Sequence, residues 1–260
     1  MTLSAGVLTA RSGAIRDGAL RASPAAVWGM LFARSVLAVA LQAVLAVAFL
    51  IAGAADPWRA AADWWLGTFT IVNVVVLVLL HRLMRREGRT LRDLYRVRRD
   101  LLRTDLVLLL AVLLIAGPLG FLPNLLLGSL LWGGPQVGGD LSFVALPIWG
   151  AVAITLTFPI LQGAAELPTY FGYVMPRLQA RYGWRTTAVL VAAVPLSLQH
   201  VVLPLLFDWR FVIWRAFTFL PFALWFGWAL YRRPSLLPYL VVAHALLDAS
   251  LPIMVLVASV

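Results

Sequence analysis

The sequence predicts an all-α, polytopic bundle of about seven transmembrane helices, within a range of six to eight. Three observations carry this. The 260 residues are 62% hydrophobic and 12% charged, against roughly 45–50% apolar and about 25% charged in a soluble domain. Mean hydropathy is +0.92. Apolar runs of membrane-crossing length recur along the chain, and no polar stretch between them is long enough to fold alone. The lipid bilayer is thus the first expected partner. All 21 basic residues are arginine, and they cluster between the apolar runs. In a soluble chain the net charge of +10 would point to nucleic acid; here it orients the spans, and no nucleic acid is expected. The absence of cysteine excludes disulfides, thiol catalysis and thiolate metal sites. Arginine-only, alanine-rich usage points to a GC-rich genome and a bacterial cytoplasmic membrane.

Residues 1–34 read as a cytoplasmic tail and interfacial segment carrying Arg11, Arg16 and Arg21, with Trp28 and Arg34 at the membrane surface, where Arg34 snorkels. The first apolar run is too long for a cleaved signal peptide. Residues 35–140 hold the N-terminal spans. The first covers 35–54, and the turn at Asp56–Arg59 faces outside. The second covers 64–80, anchored by Trp64 and Trp65. Residues 81–104 form a cytoplasmic loop with nine arginines against Glu87, Asp93 and Asp100. Leu91, Leu94, Tyr95, Leu101 and Leu102 make an apolar stripe that predicts an amphipathic helix lying on anionic lipid. The third span, 106–127, is expected to be a single helix kinked at Gly117-Pro118 and Pro123-Asn124. Residues 141–260 form the remaining core, with spans at 141–161, 186–207, 211–231 and 235–257. The arginine bias places the N-terminus inside and the C-terminus outside.

The chemistry gathers around residues 162–185. Glu166 is the only carboxylate between Asp140 and Asp208, and an acid beside hydrocarbon costs several kcal/mol unless it is paired, neutralised or hydrated. Two histidines in later apolar runs, His200 and His244, are its expected partners. His81, beside the basic loop, is expected to be an exposed bystander. Asp248 follows His244 by four residues, which stacks the two on one helix face. His244 lies roughly 13 Å and His200 roughly 21 Å from the cytoplasmic ends of their spans, near the middle of a layer about 30 Å thick. If the helix bends near Pro159 and continues to Arg177, Glu166 lies roughly 16 Å above the arginines, at matching depth. Thr169, Tyr170 and Tyr173 then share its face. Arg215, inside the sixth span, is an alternative structural counter-ion for the acid.

These motifs resemble the CPBP intramembrane protease family, which includes the type II CAAX prenyl endopeptidases and bacterial abortive-infection proteins. Its first motif, EExxxRG with a basic tail, is matched by ELPTYFGYVMPRL, with Glu166 at the first Glu, Gly172 at the Gly and Pro176-Arg177-Leu178 at the tail. The second appears as LSLQH (Leu196, His200) and the third as HALLD (His244, Asp248). Leu167 stands where a second Glu is usual, Phe171 where Arg is usual, and Asp248 where Asn is commoner. The resemblance implies a metal-independent peptidase acting on a peptide or membrane-protein substrate, with Glu166, His200, His244 and Asp248 catalytic and Thr169, Tyr170 and Tyr173 supporting. Glu166 would activate water with His200 sharing the proton. His244 would stabilise the oxyanion, Asp248 would fix its tautomer or help as a protonated donor, and a cavity open to the cytoplasm would admit substrate. No cofactor is expected. The alternative uses of the same residues are a zinc site and a non-catalytic membrane adaptor that holds a partner's helix.

Overall fold

Ser23 opens α1 (Pro24–Ile51): its hydroxyl accepts from the Ala26 N–H at 3.2 Å, and Pro24 stands where a helix needs no N–H. The computed structural model describes residues 22–260, so residues 1–21 of the expected cytoplasmic tail lie outside the described residues. Asp56 caps the short α2 (Pro57–Asp63) by accepting from the Arg59 N–H at 2.9 Å. In α3 (Trp65–Arg86), Arg85 and Arg86 sit in the last turn, where the helix dipole favours cations. Gly88, at φ +74°, then takes the left-handed conformation that turns the chain away.

The expected amphipathic helix is not formed. Residues 91–95 and 99–101 make two short 3₁₀ turns. A capping box between Thr90 and Asp93 starts the first turn, and extended backbone at Arg96 ends it. The apolar stripe docks on protein rather than on lipid: Leu94 is buried, and the Tyr95 hydroxyl donates to the Ala164 carbonyl at 2.7 Å. That carbonyl is free because Pro168, four residues on, has no N–H to give it.

α4 (Leu102–Trp132) is one continuous helix through Pro118 and Pro123, and it presents Leu106, Leu110, Leu114 and Leu130 outward. A single helical turn at Val137–Asp140 follows. The fourth span starts later than expected: residues 141–147 are not helical, and α5 (Ile148–Leu167) begins after Pro147. It runs unbroken past Pro159, widens into a π-helical segment at Pro168–Val174, and continues as α6 (Met175–Tyr182). α7 (Thr186–Leu198) and a 3₁₀ turn at Gln199–Val201 end six residues short of the expected boundary at 207. The sixth span is α8 (Trp209–Thr218) and α9 (Leu220–Arg232), interrupted at Phe219 just before Pro221. The seventh is α10 (Leu237–Asp248) and α11 (Ser250–Ala258), interrupted at Ala249, where Pro252 cannot donate to the Asp248 carbonyl.

Among the described residues there are six helical stretches long and apolar enough to cross a membrane, plus the shorter Thr186–Val201. The result is an all-α polytopic bundle of about seven spans, with no β-sheet among the described residues. The column formed by α5 and the π segment is its axis: α3, α10 and α11 pack on α5, and α1 packs on the π segment. α5 and α10 cross closely at Gly163, where a Cβ would stand 2.7 Å from Ala245 Cβ and 2.8 Å from the Val241 carbonyl of α10. Only a residue without a side chain lets α5 and α10 approach this closely, and Glu166 lies one turn further along α5.

Candidate active site

Glu166 faces the bundle interior, 1% exposed. Its Oε1 meets His244 Nε2 at 2.9 Å. Its Oε2 accepts from Gln162 Nε2 at 2.7 Å, Gln199 Nε2 at 2.6 Å and an Arg34 guanidinium nitrogen at 3.1 Å. Two helices, a 3₁₀ turn and α1 thus converge on one carboxylate. Arg34 is fully buried; it also donates to Gln199 Oε1 at 2.8 Å, Asn73 Oδ1 at 2.6 Å and Gln162 Oε1 at 2.9 Å, and sits 4.7 Å from the Phe69 ring centroid. A buried charge needs both an opposite charge and satisfied hydrogen bonds, and this network supplies both.

This overturns the interfacial reading of Arg34. Its guanidinium does not snorkel to the surface; the first helix starts at Pro24, so Arg34 lies roughly 15 Å along it. Nor does Arg215 pair with the acid: it donates to the carbonyls of His200 and Leu203, bracing the chain after α7.

His244 is buried, and Asp248 Oδ2 lies 3.3 Å from its Nε2. Asp248 therefore approaches the nitrogen that Glu166 already uses, not Nδ1, and Nδ1 has no hydrogen-bond partner in the protein. Asp248 thus reaches the imidazole it is expected to orient, on the Nε2 side. His200 is half-buried, stacked on Phe219 with ring centroids 4.1 Å apart. Its Nδ1 lies 3.1 Å from the carbonyls of Leu196 and Ser197. Carbonyls only accept, so Nδ1 carries the proton and Nε2 keeps its lone pair. No hydrogen bond joins His200 to Glu166, although the two lie within electrostatic range.

The supporting residues divide. The Tyr170 hydroxyl donates to Gln199 Oε1 at 3.1 Å, one step from the acid. Thr169 donates to the Ala165 carbonyl at 2.6 Å. Tyr173 belongs to a different cluster: its ring lies 3.5 Å from the Arg177 guanidinium, which is paired with Glu87. The π segment spreads residues that a regular helix would have stacked. His81 is exposed, as expected of a bystander. A large cavity does lie at the arginine-rich end, but Glu166, His200, His244 and Asp248 are not among its lining residues. Among the described residues, no group of three or more His, Cys, Asp or Glu is arranged to hold a metal ion.

The segment that carries Glu166, His200, His244 and Asp248 also carries the family signal. Residues 147–250 match the family described as type II CAAX prenyl endopeptidase, Rce1-like. This segment, about two fifths of the chain, is thus similar to an Rce1-like domain. No curated protein and no solved structure matches the chain. The Rce1-like segment excludes Arg34 and Asn73, so α1 and α3 complete its polar centre from outside it. Within it, the two departures from the family pattern are packing residues. Leu167 is core, and Phe171 is buried against Gly227.

Sequence reasoning missed Arg34, Asn73, Gln162 and Gln199. The one general signal was that a lone acid at mid-membrane requires donors; it does not say which polar residues supply them.

Proposed function

We propose that the chain is an intramembrane endopeptidase that hydrolyses peptide bonds of a peptide or membrane-protein substrate, without a metal. The observation that carries this is the Glu166–His244 contact at 2.9 Å between α5 and α10, with Asp248 3.3 Å from the same imidazole nitrogen. In this mechanism Arg34, Gln162 and Gln199 hold Oε2 and orient the carboxylate, and Oε1, which meets His244 Nε2 at 2.9 Å, offers its second lone pair to the water. Water is deprotonated by the Glu166 carboxylate together with the His200 Nε2 lone pair. It attacks the peptide carbonyl, and His244, protonated on both nitrogens so that Nε2–H faces Glu166, donates its Nδ1–H to the oxyanion, Nδ1 being the nitrogen without a protein partner. The proton then passes to the departing amine, so the products are a new carboxylate and a new amine.

The test uses purified protein in liposomes supplied with a membrane-protein fraction in ¹⁸O-water. Mass spectrometry should find new C-termini carrying the label with the natural chain, none with Glu166→Gln, and no inhibition by chelators. Equal yields of labelled termini from Glu166→Gln would end the proposal, and chelator inhibition would favour the zinc alternative.

One observation favours a second reading, the non-catalytic adaptor. Both Glu166 oxygens are already engaged by protein partners, and Leu167 and Phe171 replace the family's second acid and arginine. On this reading the network is purely structural, and the chain co-purifies with a partner whether residue 166 is Glu or Gln.

A further inference from the structure

At the arginine-rich end, a cavity of about 1030 Å³ lies between residues 87–101, the π segment with the start of α6, and the connection from α9 to α10. Leu94, Leu101, Phe171 and Leu230 are part of its apolar wall, and Arg89, Arg96, Arg98, Arg232 and Arg233 share the lining. Two of the five arginines are neutralised: Arg98 by Asp100 at 2.5 Å and Arg233 by Asp105 at 2.8 Å. The two acids in the lining are also occupied, Glu87 by Arg177 and Asp93 by the Thr90 N–H at 2.9 Å. Among the described residues, no carboxylate forms an ion pair within 4.0 Å with Arg89, Arg96 or Arg232. Arg232 has only the Trp228 ring, 5.6 Å away. The buried amide nitrogen of Gln179, another lining residue, has no hydrogen-bond partner. Arg89 is half-buried, and its pKa lies below the ordinary guanidinium value, chiefly through burial and then through the nearby Arg177 charge.

Three guanidiniums without a direct ion pair, in a lining that holds five arginines against Glu87 and Asp93, and a spare amide donor beside an apolar wall suit an anion that carries hydrocarbon. Basic pockets between transmembrane helices take lipid head groups in this way. The wall also leads towards lipid: Leu101 is followed on α4 by Leu102 and Leu106, both exposed on its outward face. We propose that this cavity binds one anionic phospholipid, its phosphate held by Arg89, Arg96 and Arg232 and its acyl chains lying against Leu101 and the adjoining face of α4. The site is distinct from the Glu166 centre and holds whether or not the chain is a peptidase.

The experiment is native mass spectrometry of the purified, delipidated chain with added phosphatidylglycerol or phosphatidylcholine. The natural chain should retain one phosphatidylglycerol, about tenfold or more in preference to phosphatidylcholine. Affinity should fall about fivefold for each arginine replaced by Gln, on the order of one hundredfold for R89Q/R96Q/R232Q. The control R82Q/R85Q/R92Q, at exposed positions outside the cavity lining, should keep the lipid, and R89K/R96K/R232K should keep most of it. If the triple Gln variant aggregates, R96Q alone decides, with its fivefold loss. The proposal is overturned if phosphatidylcholine binds as well as phosphatidylglycerol, if the Gln variants keep full affinity, or if a soluble peptide with a free C-terminal carboxylate binds the cavity more tightly than the lipid.

Discussion

The bundle buries two glutamate–arginine pairs, and the contrast between them shows what separates a clamp from a candidate site. Glu87, at the arginine-rich end, is gripped by Arg177, which uses two guanidinium nitrogens and places a third 2.7 Å from the Tyr173 carbonyl. One cation and one anion satisfy each other, and no titratable base takes part. Glu166 is shared among Arg34, two glutamines and His244, drawn from α1, α5, the Gln199 turn and α10. The arginine there touches only one of the two oxygens. The other faces an imidazole, the group suited to moving protons near neutral pH. Burial of charge is common to both; an acid–imidazole contact belongs only to the second.

Breaking each pair should expose this difference. The largest effect is expected from Arg34→Met, which strips a buried cation from four acceptors and leaves Glu166 uncompensated. The cost should be about 3–5 kcal/mol, read as a large fall in Tm in detergent. Adding Glu166→Gln should recover much of it, because the residues form one network. If it recovers nothing, Arg34 matters for something other than the acid. Glu87→Gln should cost less, about 2–3 kcal/mol, since Arg177 keeps its contacts to Tyr173. Gly163→Val would force α5 and α10 apart and should cost about 1–3 kcal/mol. Cleavage should fall further than stability does, because the Glu166–His244 contact lies at that crossing. Tyr95→Phe removes one hydrogen bond to the carbonyl that Pro168 frees, about 1 kcal/mol, and should lower Tm slightly while leaving cleavage unchanged.

What was legible in the sequence follows from how lipid weighs each residue type. Glu166 and the His244–Asp248 pair stand out because ionisable groups in apolar runs are costly. The spans were readable for the same reason. Arg34 was not, because an arginine at the edge of an apolar run reads as an interfacial anchor, and only the fold shows it inside. Gln162, Gln199 and Asn73 carry no charge and barely disturb hydropathy, so their convergence was invisible. The π segment was equally hidden. Pro168 hints at an irregularity but not at a widened turn, and so Tyr173 was placed with Glu166 when it sits with Arg177. The stripe in residues 91–102 suggested lipid because amphipathicity alone does not say whether the apolar face meets a membrane or a neighbouring helix.

The most direct measurement compares the two acids in one assay: the rate of peptide release by Glu166→Gln and Glu87→Gln relative to the natural chain, with Tm recorded for each. The account predicts that both variants melt lower than the natural chain, yet Glu166→Gln loses roughly two to four powers of ten in rate, far more than its fall in Tm explains, while Glu87→Gln cleaves within a few-fold. A Glu166→Gln chain that cleaves at the natural rate, or two variants whose rates fall together in step with Tm, would contradict it.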